Sequence, residues 1–351
     1  MLKLAKSTMF LLILAVSIFM INSTPVFYDT NNIIFENNTL KLSSMTLKQK
    51  IAQMIIVSGD FQENAIVFQK MSVGGIHIGA KNTKEEVNET VIKFKSKIPI
   101  FVAADLEGCI NPFENFQEFP SFKSINSTKE AYLAGYTEGK FLKELGFNIN
   151  FAPVVDMNDT IWHCRSFLGS TKDISNKANA YIKGLTDNGI IATSKHYPGK
   201  TLSTQDTHKS VSFATINEDD IIPFEDTISN NVPAIMVSHQ IVDGLVNSDS
   251  KPAVVSDNVI NGLRGKFTGL VITDEIRMSG IKNYYNDNDK KYIDLFKADN
   301  DIILNFDKDA REIEHMISVV EKAVNKGIIN ESRIDRSVIR ILNAKGIKVK
   351  D

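Results

Sequence analysis

Eight short apolar runs recur along this chain, and segments of helical periodicity fill most of the intervals between them. The runs cover residues 54–57, 75–80, 99–104, 148–155, 190–193, 234–237, 270–273 and 302–306. Each is short enough for a strand and bounded by polar or glycine-containing segments, which is the pattern of a strand buried on both faces. Between them, residues 128–145 place Tyr132, Gly135, Phe141, Leu142 and Leu145 on one side of a helix. Residues 174–188, 219–229, 256–264 and 293–299 repeat that spacing, and 311–326 with 332–345 close the chain in the same way. Thr46 is placed to cap an opening helix in which Leu47, Ile51 and Met54 share a face. Strand alternating with helix implies a parallel sheet. Eight such units predict an α/β fold, a closed (β/α)8 TIM barrel forming one catalytic domain over residues 44–351. A doubly wound open sheet is the structural alternative, and it lacks a phosphate-binding glycine fingerprint after the first run.

The ends of these runs carry charge. Asp105 and Glu107 follow the third, Asp156 and then Arg165 the fourth, Lys195 and His196 the fifth, His239 the sixth, and Asp274 with Glu275 the seventh. In a barrel all of them converge on the C-terminal face, where the active sites of such folds lie. A ring of charge there costs stability unless it is paired or used. The densest part is Lys195-His196-Tyr197-Pro198-Gly199-Lys200-Thr201-Leu202-Ser203-Thr204-Gln205-Asp206-Thr207-His208.

Composition removes several classes of function. A net charge of −2 gives no electrostatic case for nucleic acid. No Walker or Gly-x-Gly-x-x-Gly loop is present. The two cysteines, Cys109 and Cys164, cannot alone build a zinc site or a disulfide framework. His196, His208, His239 and Asp274 lack the spacing of a His-x-His or His-Glu-x-x-His metal motif. Lys195 as a Schiff-base lysine would need a depressed pKa, and its acidic neighbours oppose that. Glycoside cleavage, with a carboxylate nucleophile and a proton donor, suits the set.

Lys195-His196-Tyr197-Pro198-Gly199 followed by Asp206-Thr207-His208 resembles the signature of glycoside hydrolase family 3, in its β-N-acetylglucosaminidase (β-hexosaminidase) branch. The resemblance runs over most of residues 45–345. It includes Asp105-Leu106-Glu107-Gly108, the stretch from Asn150 to Asp156, Arg165-Ser166-Phe167, Met236-Val237-Ser238-His239 and the stretch from Val271 to Met278. It implies a retaining double displacement that releases terminal β-linked N-acetylglucosamine-type sugars, in that branch from cell-wall glycan fragments. Asp274 would be the nucleophile and His208, paired with Asp206, the general acid/base. Asp105, Arg165, Lys195, His196 and Met278 would hold the sugar. His239 would be a supporting or core histidine. No metal or organic cofactor is implied, and a carbohydrate is the expected partner of a monomer. A free imidazole has a pKa of about 6.5, so it can give a proton in one step and take one in the next near neutral pH.

The chain departs from the family pattern at three places. The second glycine and the arginine of the Asp-x-Glu-Gly-Gly-Arg turn are Cys109 and Ile110. The His-Gly after the Pro-Gly is Lys200-Thr201. The Gly-Asp before Arg-Ser-Phe is His163-Cys164. These changes bear on sugar specificity, and they leave a rival reading open, a degenerate barrel that binds cell-wall glycan without cutting it. Both cysteines fall at the departures. Two free thiols are the expected state, with a disulfide beside the active-site rim as the alternative in an exported protein.

At the N-terminus Lys3 and Lys6 precede an uncharged stretch, residues 7–21. Residues 1–22 read as a signal peptide or a short membrane anchor, which predicts an exported protein with membrane attachment through this segment as one outcome. Residues 23–43, rich in Asn, Ser and Thr, read as a linker.

Overall fold

The computed structural model describes residues 30–203 and 206–351. The expected signal or anchor segment, 1–22, lies outside them. Eight parallel strands form one sheet: β1 (Ile55–Ser58), β2 (Gly75–His77), β3 (Phe101–Ala104), β4 (Ile149–Asn150), β5 (Ile191–Tyr197), β6 (Ala234–Val237), β7 (Leu270–Thr273) and β8 (Ile303–Leu304). Their order is β7-β6-β5-β4-β3-β2-β1-β8, and a parallel bridge from Ile272 to Ile302 joins the two ends. The fold is therefore a (β/α)8 barrel, with one strand in each of the eight apolar runs. Every residue of β1, β3, β6 and β7 is buried, which is why these segments read as continuous apolar stretches rather than alternating ones.

Some strands are shorter than their runs. The fourth run forms a strand only at Ile149–Asn150; Phe151 and Ala152 still bond the neighbouring strands, Pro153 has no N–H to donate, and Val154 returns as an isolated bridge to Lys195 and Ser166. Strand β5 is longer than expected and carries a register shift against β6 between Ser194 and Tyr197. A bulge of this kind re-aims side chains. Here it falls at Lys195 and His196.

The helices of seven or more residues are α1 (Leu47–Gln53), α2 (Ala65–Met71), α3 (Lys84–Lys93), α4 (Thr128–Glu144), α5 (Thr171–Asp187), α6 (Glu218–Ser229), α7 (Asp257–Arg264), α8 (Asn288–Lys297), α9 (Ala310–Asn325) and α10 (Glu331–Ala344). Thr46 caps α1 in a capping box with Gln49. Helices α4 and α5 approach closely at Gly135, where an added Cβ would lie 2.2 Å from the Tyr181 carbonyl oxygen. Helix α3 buries only Val87 and Thr90, so its sequence shows little periodicity.

The expected linker, residues 23–43, is corrected by the structure over 30–43, the part of it that is described. Phe35–Glu36 and Thr39–Lys41 form a hairpin, and Lys348–Lys350 adds to it in parallel. Asn37 and Asn38, both with positive φ, make its two-residue turn. Ile33, Leu40 and Leu42 are buried in the main core, so this stretch pays its ordering entropy with apolar burial and belongs to the domain. Among the described residues, no helix is long and apolar enough to cross a membrane.

Candidate active site

A cavity of about 340 Å³ opens among the segments that follow the strands. It is lined by Asp105, Arg165, Lys195, His196, His208, Asp274 and Met278, all expected from the sequence. Asp206 lines a small adjoining space together with His208 and Asp274. A roomier groove of about 510 Å³, beside Tyr284, Tyr285 and Lys290, holds none of these residues. Chemistry rather than size marks the site.

Its inner wall is a buried ion network. Lys195, 2% exposed, reaches Asp105 Oδ1 at 2.7 Å and Glu107 Oε1 at 3.1 Å. Arg165 grips Glu107 with both arms of its guanidinium, through Nε at 3.2 Å and Nη2 at 2.8 Å. Buried charges survive only with partners of this quality. Burial works against the charge on Lys195, but Asp105 and Glu107 outweigh it and raise its pKa. Burial likewise opposes ionisation of Asp105, and Lys195 and His77 override it to hold the carboxyl well below its usual range. A lysine fixed as ammonium is a donor for hydroxyls and carbonyls and a poor Schiff-base nucleophile.

The peptide between these acids is also held. Asn150, at the end of β4, accepts the Leu106 N–H at 3.0 Å and donates to the Leu106 carbonyl at 2.8 Å. Both backbone groups of the residue linking Asp105 to Glu107 are thereby satisfied.

Asp274 follows β7 directly, and its Oδ1 accepts the Glu275 N–H at 2.8 Å. Burial pushes its pKa up, and His196 and His239 with that hydrogen bond more than reverse the effect, so the carboxyl is ionised at neutral pH. His196 is oriented by buried Asp156, whose Oδ2 lies 3.0 Å from Nδ1. His239 is fully buried, its Nε2 2.9 Å from the Glu275 carbonyl oxygen, and burial lowers its pKa. It does not line the cavity.

His208 stands on the loop after β5 with its side chain 55% exposed and its Nδ1 2.8 Å from Asp206 Oδ1. Asp206 is lowered in pKa: its partial burial is outweighed by the His208 backbone N–H and imidazole. Among the described residues, no cluster of three or more His, Cys, Asp or Glu is arranged to hold a metal.

Several residues in and beside the cavity escaped the sequence reading. His77, at the end of β2, places Nε2 3.0 Å from Asp105 Oδ2 and stacks on Phe306 with centroids 4.6 Å apart. The expected run, 75–80, carries past it, so the strand-end rule that found Asp105 passed it over. Trp162, Phe306, Met236 and Ile110 supply apolar wall. Ile110 stands where the family pattern has arginine. The expectation of two free thiols is overturned: Cys109 and Cys164 form a disulfide, their Cα atoms 5.7 Å apart. The physical reason is tertiary. The loops after β3 and β4 are neighbours, and Arg165 and Glu107 already bind them together at the next turn.

Known proteins resemble this chain over most of its length. Residues 46–344 match the family described as the glycosyl hydrolase family 3 N terminal domain. The beta-hexosaminidase LpqI of Mycobacterium tuberculosis is 27% identical over 327 residues, covering 85% of this chain and 82% of that protein. The solved structure of a glycoside hydrolase family 3 beta-N-acetylglucosaminidase from Paenibacillus superposes with a TM-score of 0.78 at 27% identity, over 86% of this chain and 62% of that one. This chain therefore spans less than two thirds of the Paenibacillus protein. The structure of LpqI itself superposes with a TM-score of 0.75 at 25% identity, covering 87% and 95%.

Proposed function

The chain belongs to glycosyl hydrolase family 3, and on that premise we propose that it is a retaining glycosidase that removes terminal β-linked N-acetylglucosamine-type sugars, with cell-wall glycan fragments as substrate. The observation that carries the reading is that an ionised Asp274 and the His208–Asp206 pair border one cavity beside a buried network of sugar-binding charges.

In the first step the Asp274 carboxylate attacks the anomeric carbon. The bond to the leaving oxygen breaks, that oxygen takes a proton from His208, and a glycosyl ester forms on Asp274. In the second step His208 removes a proton from water, the water oxygen attacks the anomeric carbon, and the ester bond breaks. Asp206 orients the imidazole and stabilises its charged form. Lys195 and Arg165 donate, and Asp105 accepts, at the hydroxyl and N-acetyl groups. Met278 packs beside the reacting centre.

An exported location is part of the proposal, and the Cys109–Cys164 bridge supports it, since such bonds persist in oxidising compartments. Attachment through the N-terminal segment and a monomeric state belong to the same reading.

The test is hydrolysis of an aryl β-N-acetylglucosaminide by the protein and by Asp274→Ala, with a panel of 2-fluoro glycosides and peptide mapping alongside. Label on Asp274 and loss of release in the variant are expected. Release that survives the substitution rejects the nucleophile. No release from any glycoside supports a barrel that binds glycan without cutting it.

A further inference from the structure

Trp162 is the only tryptophan in the chain. It lines the cavity and remains 41% exposed, while Lys195 and Arg165 at the inner wall are 2% and 6% exposed. Its ring meets the His208 imidazole edge-on, with centroids 6.3 Å apart. The Arg165 guanidinium carbon sits 5.5 Å from the indole centroid. The loop that carries it is fixed before any ligand arrives. Asp159 accepts the backbone N–H groups of Trp162 at 2.8 Å, Cys164 at 2.9 Å and Arg165 at 2.8 Å. The disulfide then ties Cys164 to Cys109.

We propose that Trp162 is a specificity-determining residue, the platform for the leaving-group half of the substrate, and that it selects a second sugar ring over a small or purely polar leaving group. The inference rests on the glycosidase reading above. A general acid must reach the glycosidic oxygen, so the group attached to that oxygen lies next to His208. Trp162 is the large exposed aromatic there. The buried charges deeper in the cavity suit the hydroxyls and amide of the terminal sugar. An indole suits the C–H face of a pyranose, because its ring face is electron-rich and its apolar area is large. Its rigid mounting lowers the entropy cost of binding.

Two measurements test this. The first compares kcat/KM on a β-1,4-linked N-acetylglucosamine disaccharide with kcat/KM on N-acetylglucosaminyl fluoride, whose leaving group is too small to stack. In Trp162→Ala the disaccharide should lose about 10-fold more than the fluoride, and Trp162→Phe should recover most of that difference. Equal losses on the two substrates would overturn the proposal. The second measurement uses the unmodified protein and the fluorescence of its one tryptophan. A thio-linked, uncleavable disaccharide should shift the emission more than the monosaccharide does. Equal shifts, or no shift, reject the platform. A protein that turns over neither substrate fails the glycosidase reading, and the emission titration then still decides whether Trp162 meets the second ring.

Discussion

His208 Nδ1 lies 2.8 Å from Asp206 Oδ1, and the same oxygen accepts the His208 backbone N–H at 3.0 Å. One carboxylate oxygen thus fixes both the ring and the backbone of the proposed acid/base. With the Nδ1 proton directed at Asp206, Nε2 is the nitrogen left to exchange a proton with substrate.

Asp206→Asn keeps the shape and removes the charge. It should lower kcat/KM by about 10²- to 10⁴-fold, the range in which general acid–base assistance and its orientation act. The loss should be larger for a glycoside with a poor alkyl leaving group than for an activated aryl one. A leaving-group series on both proteins measures this, and a uniform loss across the series would remove Asp206 from the proton-transfer step.

Lys195 binds Asp105 and Glu107 at once. Lys195→Met removes the cation that the two acids share, leaving Asp105 with His77 and Glu107 with Arg165. Breaking one partner of such a buried network costs about 3–5 kcal/mol, which urea unfolding should register. Substrate affinity should fall with it. The double change Lys195→Met with Glu107→Gln should recover part of the stability and none of the affinity. Full recovery of both would mean the network is structural only.

Glu138 on α4 is buried, accepts a hydrogen bond from the Tyr181 hydroxyl, and is pushed up by burial from 4.5 to about 8. The folded chain then holds a proton that the unfolded chain releases. Stability from this group is complete below about pH 4.5 and falls as pH rises toward 8. Glu138→Gln carries no such proton. Its midpoint temperature should exceed that of the parent at pH 8, with the difference shrinking toward pH 5. A difference that stays constant between those values would show that the carboxyl is ionised in the fold.

The Cys109–Cys164 bridge closes a loop of 55 residues. Chain-entropy arguments give such a loop about 4 kcal/mol, with about 2–4 kcal/mol typical of measured bridges. Reduction should therefore lower the unfolding midpoint and raise KM, because the bridge also holds the segment bearing Trp162 and Arg165. Thiol titration of the unfolded, unreduced protein should find no free thiol.

Much of the fold was legible because a parallel barrel buries both faces of its strands. Each strand is then a continuous apolar run, and the polar residues just past it stand out. The same contrast exposed Asp105, Lys195, His196 and Asp274. Where that contrast fades the reading failed. Helix α3 buries too little to show a period. Asn37 and Asn38 read as linker although they make a hairpin turn, because only the partner strand at 348–350 reveals their role. His77 looked like part of a strand until Asp105 and Phe306 were seen against it.

The sequence alone determined the order of the barrel units and the identity of the residues at their ends, since periodicity and strand-end charge are local properties of the chain. Only the tertiary structure decided which charges pair. Glu107 with Arg165, Asp156 with His196, Cys109 with Cys164 and Trp162 with His208 are contacts between residues 40 to 58 positions apart. No local pattern encodes such distances. Closing the barrel brings the loops together, and burial then requires each charge to find its partner.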